Sequence, residues 1–290
     1  MKSRILKCIT AITLFPALAI TVYAQAQQFD STETGEGFPF KLRGGFLIVV
    51  EGRIGTVRNL KFALDTGGTR SIVDRKIADK FLLIRHPSEI YAFDRVVGTE
   101  SATFPEVQFG AIQVANVSML IANLGDFSTF GNDVDAIIGS DFLRLGTFTI
   151  DYDAKKMLFR SMDSLEVADA RKSNPGLLTV ELRVQGQQLR FLVDSGFPDI
   201  LLFEDRLRKY APQVRVEHEI NRFRIGSRLQ GKKVILPKTW LGSREKDVAV
   251  LTVGGPPDSV LPGIVGLLGT ASLKAHRIAF NFASNRLAWH

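Results

Sequence analysis

Short apolar runs alternate with glycine-rich or polar breaks along the chain, and the alternation falls into two matched halves. In the first, "FLIVVEG" from Phe46 and "TVRNLKFAL" running into Asp65 read as strands. In the second, "LLTVELRVQGQQLRFLV" running into Asp194 reads as a hairpin turning at Gln185–Gln188. β-branched and aromatic runs cut by glycine predict antiparallel hairpins. A further apolar run follows each aspartate, "SIVD" or "ILLF", and then a short amphipathic helix, Asp74–Leu83 or Glu204–Tyr210. Asp74 is the expected cap of the first helix. "FPEVQFG" (Phe104–Gly110) matches "LPKTWLG" (Leu236–Gly242), each leading into a strand, "VSMLIANL" or "VAVLTV". Closing strands are expected in "FTIDYDAKKMLF" and "HRIAFNFASNRLAW". Two copies of a unit of roughly 110 residues predict a duplication and not a solenoid.

The match is closest where the chemistry could lie. "LKFALDTGG" (Leu60–Gly68) returns as "LRFLVDSGF" (Leu189–Phe197), with Asp65 and Asp194 129 positions apart. Downstream, "AIIGSDFL" around Gly139 and "GIVGLLGT" around Gly266 follow their aspartates by 74 and 72 residues. Ile138 with Gly139, and Val265 with Gly266, are the expected apolar floor beneath the aspartate loops. Asp141 and Asp151 have no counterparts in the second copy and are expected at surface or turn positions.

The ends set the domain plan. Lys2, Arg4 and Lys7, the apolar stretch Cys8–Tyr23 and the small residues Ala24 and Ala26 read as a signal peptide over 1–26. That stretch is shorter than the ~20 apolar residues of a spanning helix. The expectation is an exported bacterial protein, periplasmic or secreted, with no stable membrane insertion after signal removal. Residues 27–45 are expected to be a mobile lead-in, 46–160 the first lobe, 161–175 a polar linker and 176–290 the second lobe. Of the net charge of +7, three cations leave with the signal, and the mild remainder gives no reason to expect a nucleic-acid partner. Cys8, the single cysteine, leaves with it too, so no disulfide or thiol chemistry is expected. The four histidines show no metal spacing. Asn116-Val117-Ser118 fits a glycosylation acceptor but falls in an expected strand. The basic stretch Arg206–Lys233, interleaved with Glu217 and Glu219, reads as a solvated face.

Two carboxylates about 3 Å apart cannot both ionise, so they share one proton. The ionised member can take a proton from water while the other donates to a carbonyl, which is what amide hydrolysis needs. Gly67 and Gly196 allow tight turns that bring main-chain N–H groups to the carboxylates. The hydroxyls of Thr66 and Ser195 are expected to bond across the two loops and hold the halves in register.

At these residues the chain resembles the pepsin/retropepsin family of aspartic peptidases. The resemblance rests on Asp65-Thr66-Gly67 and Asp194-Ser195-Gly196, with Ile137-Ile138-Gly139 and Ile264-Val265-Gly266, and spans Phe46 to Trp289. It implies an all-β, two-lobed barrel-like fold about a pseudo-twofold axis and a cleft between the lobes. It implies a flap hairpin, placed in Val96–Thr103 with Gly98 at its tip, and a second-lobe equivalent near Arg224–Gly231. It implies an aspartic endopeptidase acting on polypeptides as a monomer, with catalytic Asp65 and Asp194 and neither metal nor organic cofactor. The second copy departs from the pattern at Phe197-Pro198-Asp199. Phe197 is expected as a wall of the cleft and Asp199 as a third carboxylate near the pair. Tyr91 is expected too early in the run to serve the flap. The same departure leaves a second reading open, a catalytically silent peptide-binding module on the same fold.

Overall fold

The structure, a computed structural model, describes residues 37–92, 95–126, 134–159, 166–169, 171–172, 177–225, 229–241 and 244–290. The expected signal peptide and most of the lead-in lie outside them. Three sheets make up an all-β fold. One eight-stranded sheet runs, edge to edge, Lys41–Arg43, Leu47–Ile54, Val57–Leu64, Ala136–Ile138, Ile72–Asp74, Ile112–Ala122, Arg95–Phe109, His86–Ala92. The other runs Arg171–Lys172, Leu178–Val184, Gln187–Asp194, Gly266–Gly269, Ile200–Phe203, Arg244–Val253, Leu229–Leu241, Glu217–Ile225. The two orders correspond strand for strand, down to an extra pairing in each: Leu47–Ile54 meets Arg95–Phe109, and Leu178–Val184 meets Leu229–Leu241.

Local chemistry explains the elements that carry the aspartates. The second-half hairpin turns on Gln185 and Gly186, both at positive φ, which suits a two-residue turn between twisted strands. Each aspartate strand lies beside a short apolar strand in parallel, Ala136–Ile138 or Gly266–Gly269. Both short strands are wholly buried, since neighbours cover both their faces. The helix after Asp74 is one turn, Arg75–Ala78, shorter than expected, and the Asp74 carboxylate caps it by accepting from Lys76 N at 2.9 Å. Asp74 also accepts from Leu124 N at 3.0 Å, tying the helix start to the loop beyond the sheet. The second helix, Glu204–Tyr210, has the expected bounds.

A six-stranded sheet joins the two halves in the order Phe38–Pro39, Lys156–Leu158, Thr147–Asp151, Arg277–Asn281, Arg286–Trp289, Glu166–Asp169. At its centre Thr149 faces Ala279, and Phe148 stacks on Phe280 with ring centroids 5.0 Å apart. One apolar core runs from Phe62 and Phe104 through Phe148 and Phe280 to Phe191 and Leu236. Several expectations change here. Phe38–Pro39 and Lys41–Arg43 are strands where a mobile lead-in was expected, and Glu166–Asp169 and Arg171–Lys172 are strands inside the expected linker. Asp151, expected at a surface or turn position, opens the turn after its strand, accepting from Ala154 N at 2.8 Å, but is buried at the seam and accepts from Arg277 Nε at 2.7 Å. Among the described residues no helix is long and apolar enough to cross a membrane.

Candidate active site

Asp65 and Asp194 each close the end of a central strand, and their carboxyls converge at Gly196, where an added Cβ would lie 3.2 Å from Oδ1 of each. The loops that carry them interlock through four bonds. Thr66 N donates to Ser195 Oγ (3.0 Å) and Ser195 N donates to Thr66 Oγ1 (3.0 Å). Thr66 Oγ1 donates to Val193 O (3.0 Å) and Ser195 Oγ donates to Leu64 O (2.9 Å). Each hydroxyl thus accepts from the opposite loop and donates into the opposite strand. Thr66 and Ser195 are both buried, so every one of these polar groups is satisfied without water.

The glycines are required by close approach. A Cβ on Gly67 would lie 2.6 Å from the Asp194 carboxyl carbon, and one on Gly196 would lie 3.2 Å from that of Asp65. Each carboxyl therefore packs on the glycine of the opposite loop. The main-chain amides are shared unequally. Asp65 Oδ1 accepts from Gly67 N (2.9 Å) and Gly68 N (3.0 Å), whereas Asp194 Oδ1 accepts from Gly196 N alone (2.7 Å).

The electrostatics follow. Burial raises the Asp65 carboxyl above its ordinary value, against the opposing pull of Asp194 and the two amides. Burial raises Asp194 well above its own, and the neighbouring Asp65 charge pushes it further in the same direction. The pair holds a proton into the range where separate carboxylates would both be ionised, and Asp194 is the member better suited to carry it.

Beneath Asp65 the expected floor is in place: Ile138 O accepts from Asp65 N (2.9 Å), and a Cβ on Gly139 would meet Arg70 O at 2.8 Å. In the second half the register corrects the expectation. Leu64 lies opposite Ile138, and Val193 lies opposite Leu268, so the counterpart of Gly139 is Gly269 and not Gly266. Gly266 sits opposite Phe191, three residues earlier, while the Val265 carbonyl accepts from Phe203 N at 2.9 Å. The interval from Asp194 to Gly269 is 75 residues, close to the 74 of the first half.

Other expectations also move. Phe197 is no cleft wall; it is buried in an apolar cluster with Leu192, Leu201, Ile264 and Leu267. Asp199 is exposed, with its carbonyl accepting from Gly269 N at 2.9 Å. Gly98 lies within the strand Arg95–Phe109, opposite Glu89, and the pairing of the two strands continues past it to Ala92 opposite Arg95. Tyr91, opposite Val96, adjoins that last pair. The strands Glu217–Ile225 and Leu229–Leu241 pair down to Ile225 opposite Leu229, and residues 226–228, within the span expected for the second-lobe equivalent, lie outside the described set.

One group went unforeseen. Ser71, fully buried, donates from N and Oγ to the two oxygens of Asp141 (2.9 and 2.7 Å), and its Oγ accepts from Gly139 N (3.0 Å). Asp141, expected at a surface or turn position, is half-buried and braces the floor beneath the Asp65 loop. The only sequence signal was a Gly-Ser-Asp run directly after the floor strand.

Compared with known proteins, the chain matches no family model and no curated protein.

Proposed function

We propose that the chain is an aspartic endopeptidase of pepsin/retropepsin type, built as two equivalent lobes about a pseudo-twofold axis. The observation that carries this reading is a pair of buried carboxyls converging at Gly196, on loops held together by reciprocal Thr66 and Ser195 bonds. Asp65, with two amides on its oxygen, is the ionised base; Asp194 carries the shared proton. A water between them gives its proton to Asp65 as its oxygen bonds to the substrate carbonyl carbon. Asp194 donates to the carbonyl oxygen, and a tetrahedral diol forms. The proton on Asp65 then passes to the amide nitrogen, the C–N bond breaks, and the proton on the diol oxygen returns to Asp194. Acid–base help of this kind is worth about 10²–10⁴ in rate, and the buried site adds electrostatic stabilisation. The pair titrates as a unit.

The substrate is a polypeptide, the enzyme a monomer, and the basic-then-apolar start at Lys2–Tyr23 supports export to the periplasm or medium. The alternative, a silent peptide-binding module, is motivated by the departure at Phe197 and Pro198; of these, Phe197 is buried in an apolar cluster. The deciding experiment incubates the wild type, Asp65→Asn and Asp194→Asn with a broad peptide library from acidic to neutral pH. Cleavage by the wild type and by neither variant is the expected result. Cleavage retained in both variants removes the pair from the reaction, and a wild type that binds peptides without cutting them establishes the silent module.

A further inference from the structure

We propose that Ser71 and Asp141 form a positioning clamp that makes Asp65, and not Asp194, the ionised member of the pair. The inference rests on reading Asp65 and Asp194 as a proton-sharing pair, and it explains why two halves with matching strand orders end in unlike carboxyls.

The side chains of the clamp belong to the first loop. In the first half Ser71 takes both oxygens of Asp141, Ser71 Oγ takes the amide of Gly139, and Ser140 N donates to Gly68 O at 2.7 Å. The chain from Asp65 to Ser71 is therefore pinned to the start of the helix Ser140–Leu143 at three successive residues. With its carbonyl drawn down to Ser140, Gly68 is fixed where its own N–H reaches Asp65 Oδ1 (3.0 Å). In the second half Ile72 corresponds to Leu201 by register, so Ile200 stands where Ser71 does and Ala271 where Asp141 does. Neither Ile200 nor Ala271 has a polar side chain, and Gly269 N donates to the main chain at Asp199 instead. Asp194 is left with the single amide of Gly196.

An additional N–H on a carboxylate oxygen favours its charged form. The clamp thus converts a difference in side chains, about 70 residues apart in sequence and absent from the other half, into a choice of which carboxyl gives up its proton. No other charge supplies that choice. Among the described residues the charges facing the pair are the two carboxyls themselves. Arg70 reaches away to Ser118 Oγ, Asp199 is exposed, and Asp141 faces the pair only through Ser71.

Carboxyl-carbon NMR of the full chain, labelled at aspartate, measures the two titration steps of the pair without reference to catalysis. In Ser71→Ala and in Asp141→Asn the lower step is expected to rise by about one pH unit as Gly68 N–H leaves Asp65. Ser71→Thr, which keeps the hydroxyl, returns it to the wild-type position. The acidic limb of the peptide-cleavage profile moves by the same amount. If the variants melt at lower temperature while both steps stay in place, the clamp is only a brace and the proposal fails. Should Ser71→Ala not fold, the near-isosteric Asp141→Asn and the Thr variant give the same comparison. A wild type that cuts no peptide but shows the Ser71-dependent shift refutes hydrolysis and leaves the clamp standing. A wild type whose cleavage profile ignores Ser71→Ala keeps hydrolysis and overturns the clamp.

Discussion

Asp194 sits in a position where its charge is disfavoured by burial and by Asp65 together, and this has consequences for stability as well as for chemistry. The folded pair keeps a proton that the unfolded chain, with an aspartate value of about 3.9, has already released. Stability is therefore fully present below about pH 4 and falls as pH rises through the raised folded value. Asp194→Asn cannot lose a proton, so its melting temperature is expected to decline less than that of the wild type across about pH 4 to 7. Thermal melts at matched pH test this, and parallel curves would contradict it. The same substitution, or Asp65→Asn, is expected to lower peptide cleavage by on the order of 10³-fold or more. Gly67→Ala should leave the strands intact and yet remove activity, because its Cβ falls 2.6 Å from the Asp194 carboxyl carbon. Circular dichroism unchanged beside lost cleavage is the expected pairing.

Between elements, the interlock of the two aspartate loops is the joint most sensitive to single atoms. Thr66→Ala strips Ser195 N of its acceptor and Val193 O of its donor in a buried site. Leaving such groups unsatisfied costs about 1–3 kcal/mol each, so chemical denaturation should show a loss of a few kcal/mol. This interlock was legible in the sequence, because two Asp-hydroxyl-Gly turns at the ends of matching strands leave the hydroxyls little else to bond. The floor was legible in one half only. "GIVGLLGT" contains two apolar-apolar-glycine triplets three residues apart, and nothing but strand register separates Gly266 from Gly269. Gly98 misled for a related reason. A glycine suggests a hairpin tip, while Gly98 occupies a paired strand position three residues inside the last pair, Ala92 with Arg95, with open space where its side chain would be. Ser71 and Asp141 were illegible because their meaning depends on a contact across 70 positions.

Over the whole molecule, the six-stranded sheet decides how firmly the halves meet. Phe280→Ala removes a ring stacked on Phe148 inside the shared core and should cost about 3–5 kcal/mol in denaturant unfolding. An unchanged midpoint would show that the seam carries no weight. The sheet was only half visible beforehand. Its closing strands Thr147–Asp151 and Arg277–Asn281 follow clear apolar alternation, but Glu166–Asp169 is an edge strand held by main-chain pairing to Arg286–Trp289, which polar sequence does not announce. The burial of Asp151 was not visible because Arg277, its partner, lies 126 positions away. The central seam also bears on how the protein comes to life in the cell. Since each half contributes one carboxyl, a nascent or severed half holds a solitary acid with no companion to share its proton. A shared proton, and any chemistry that needs one, therefore waits on both halves being folded together, with Thr147–Asp151 paired to Arg277–Asn281.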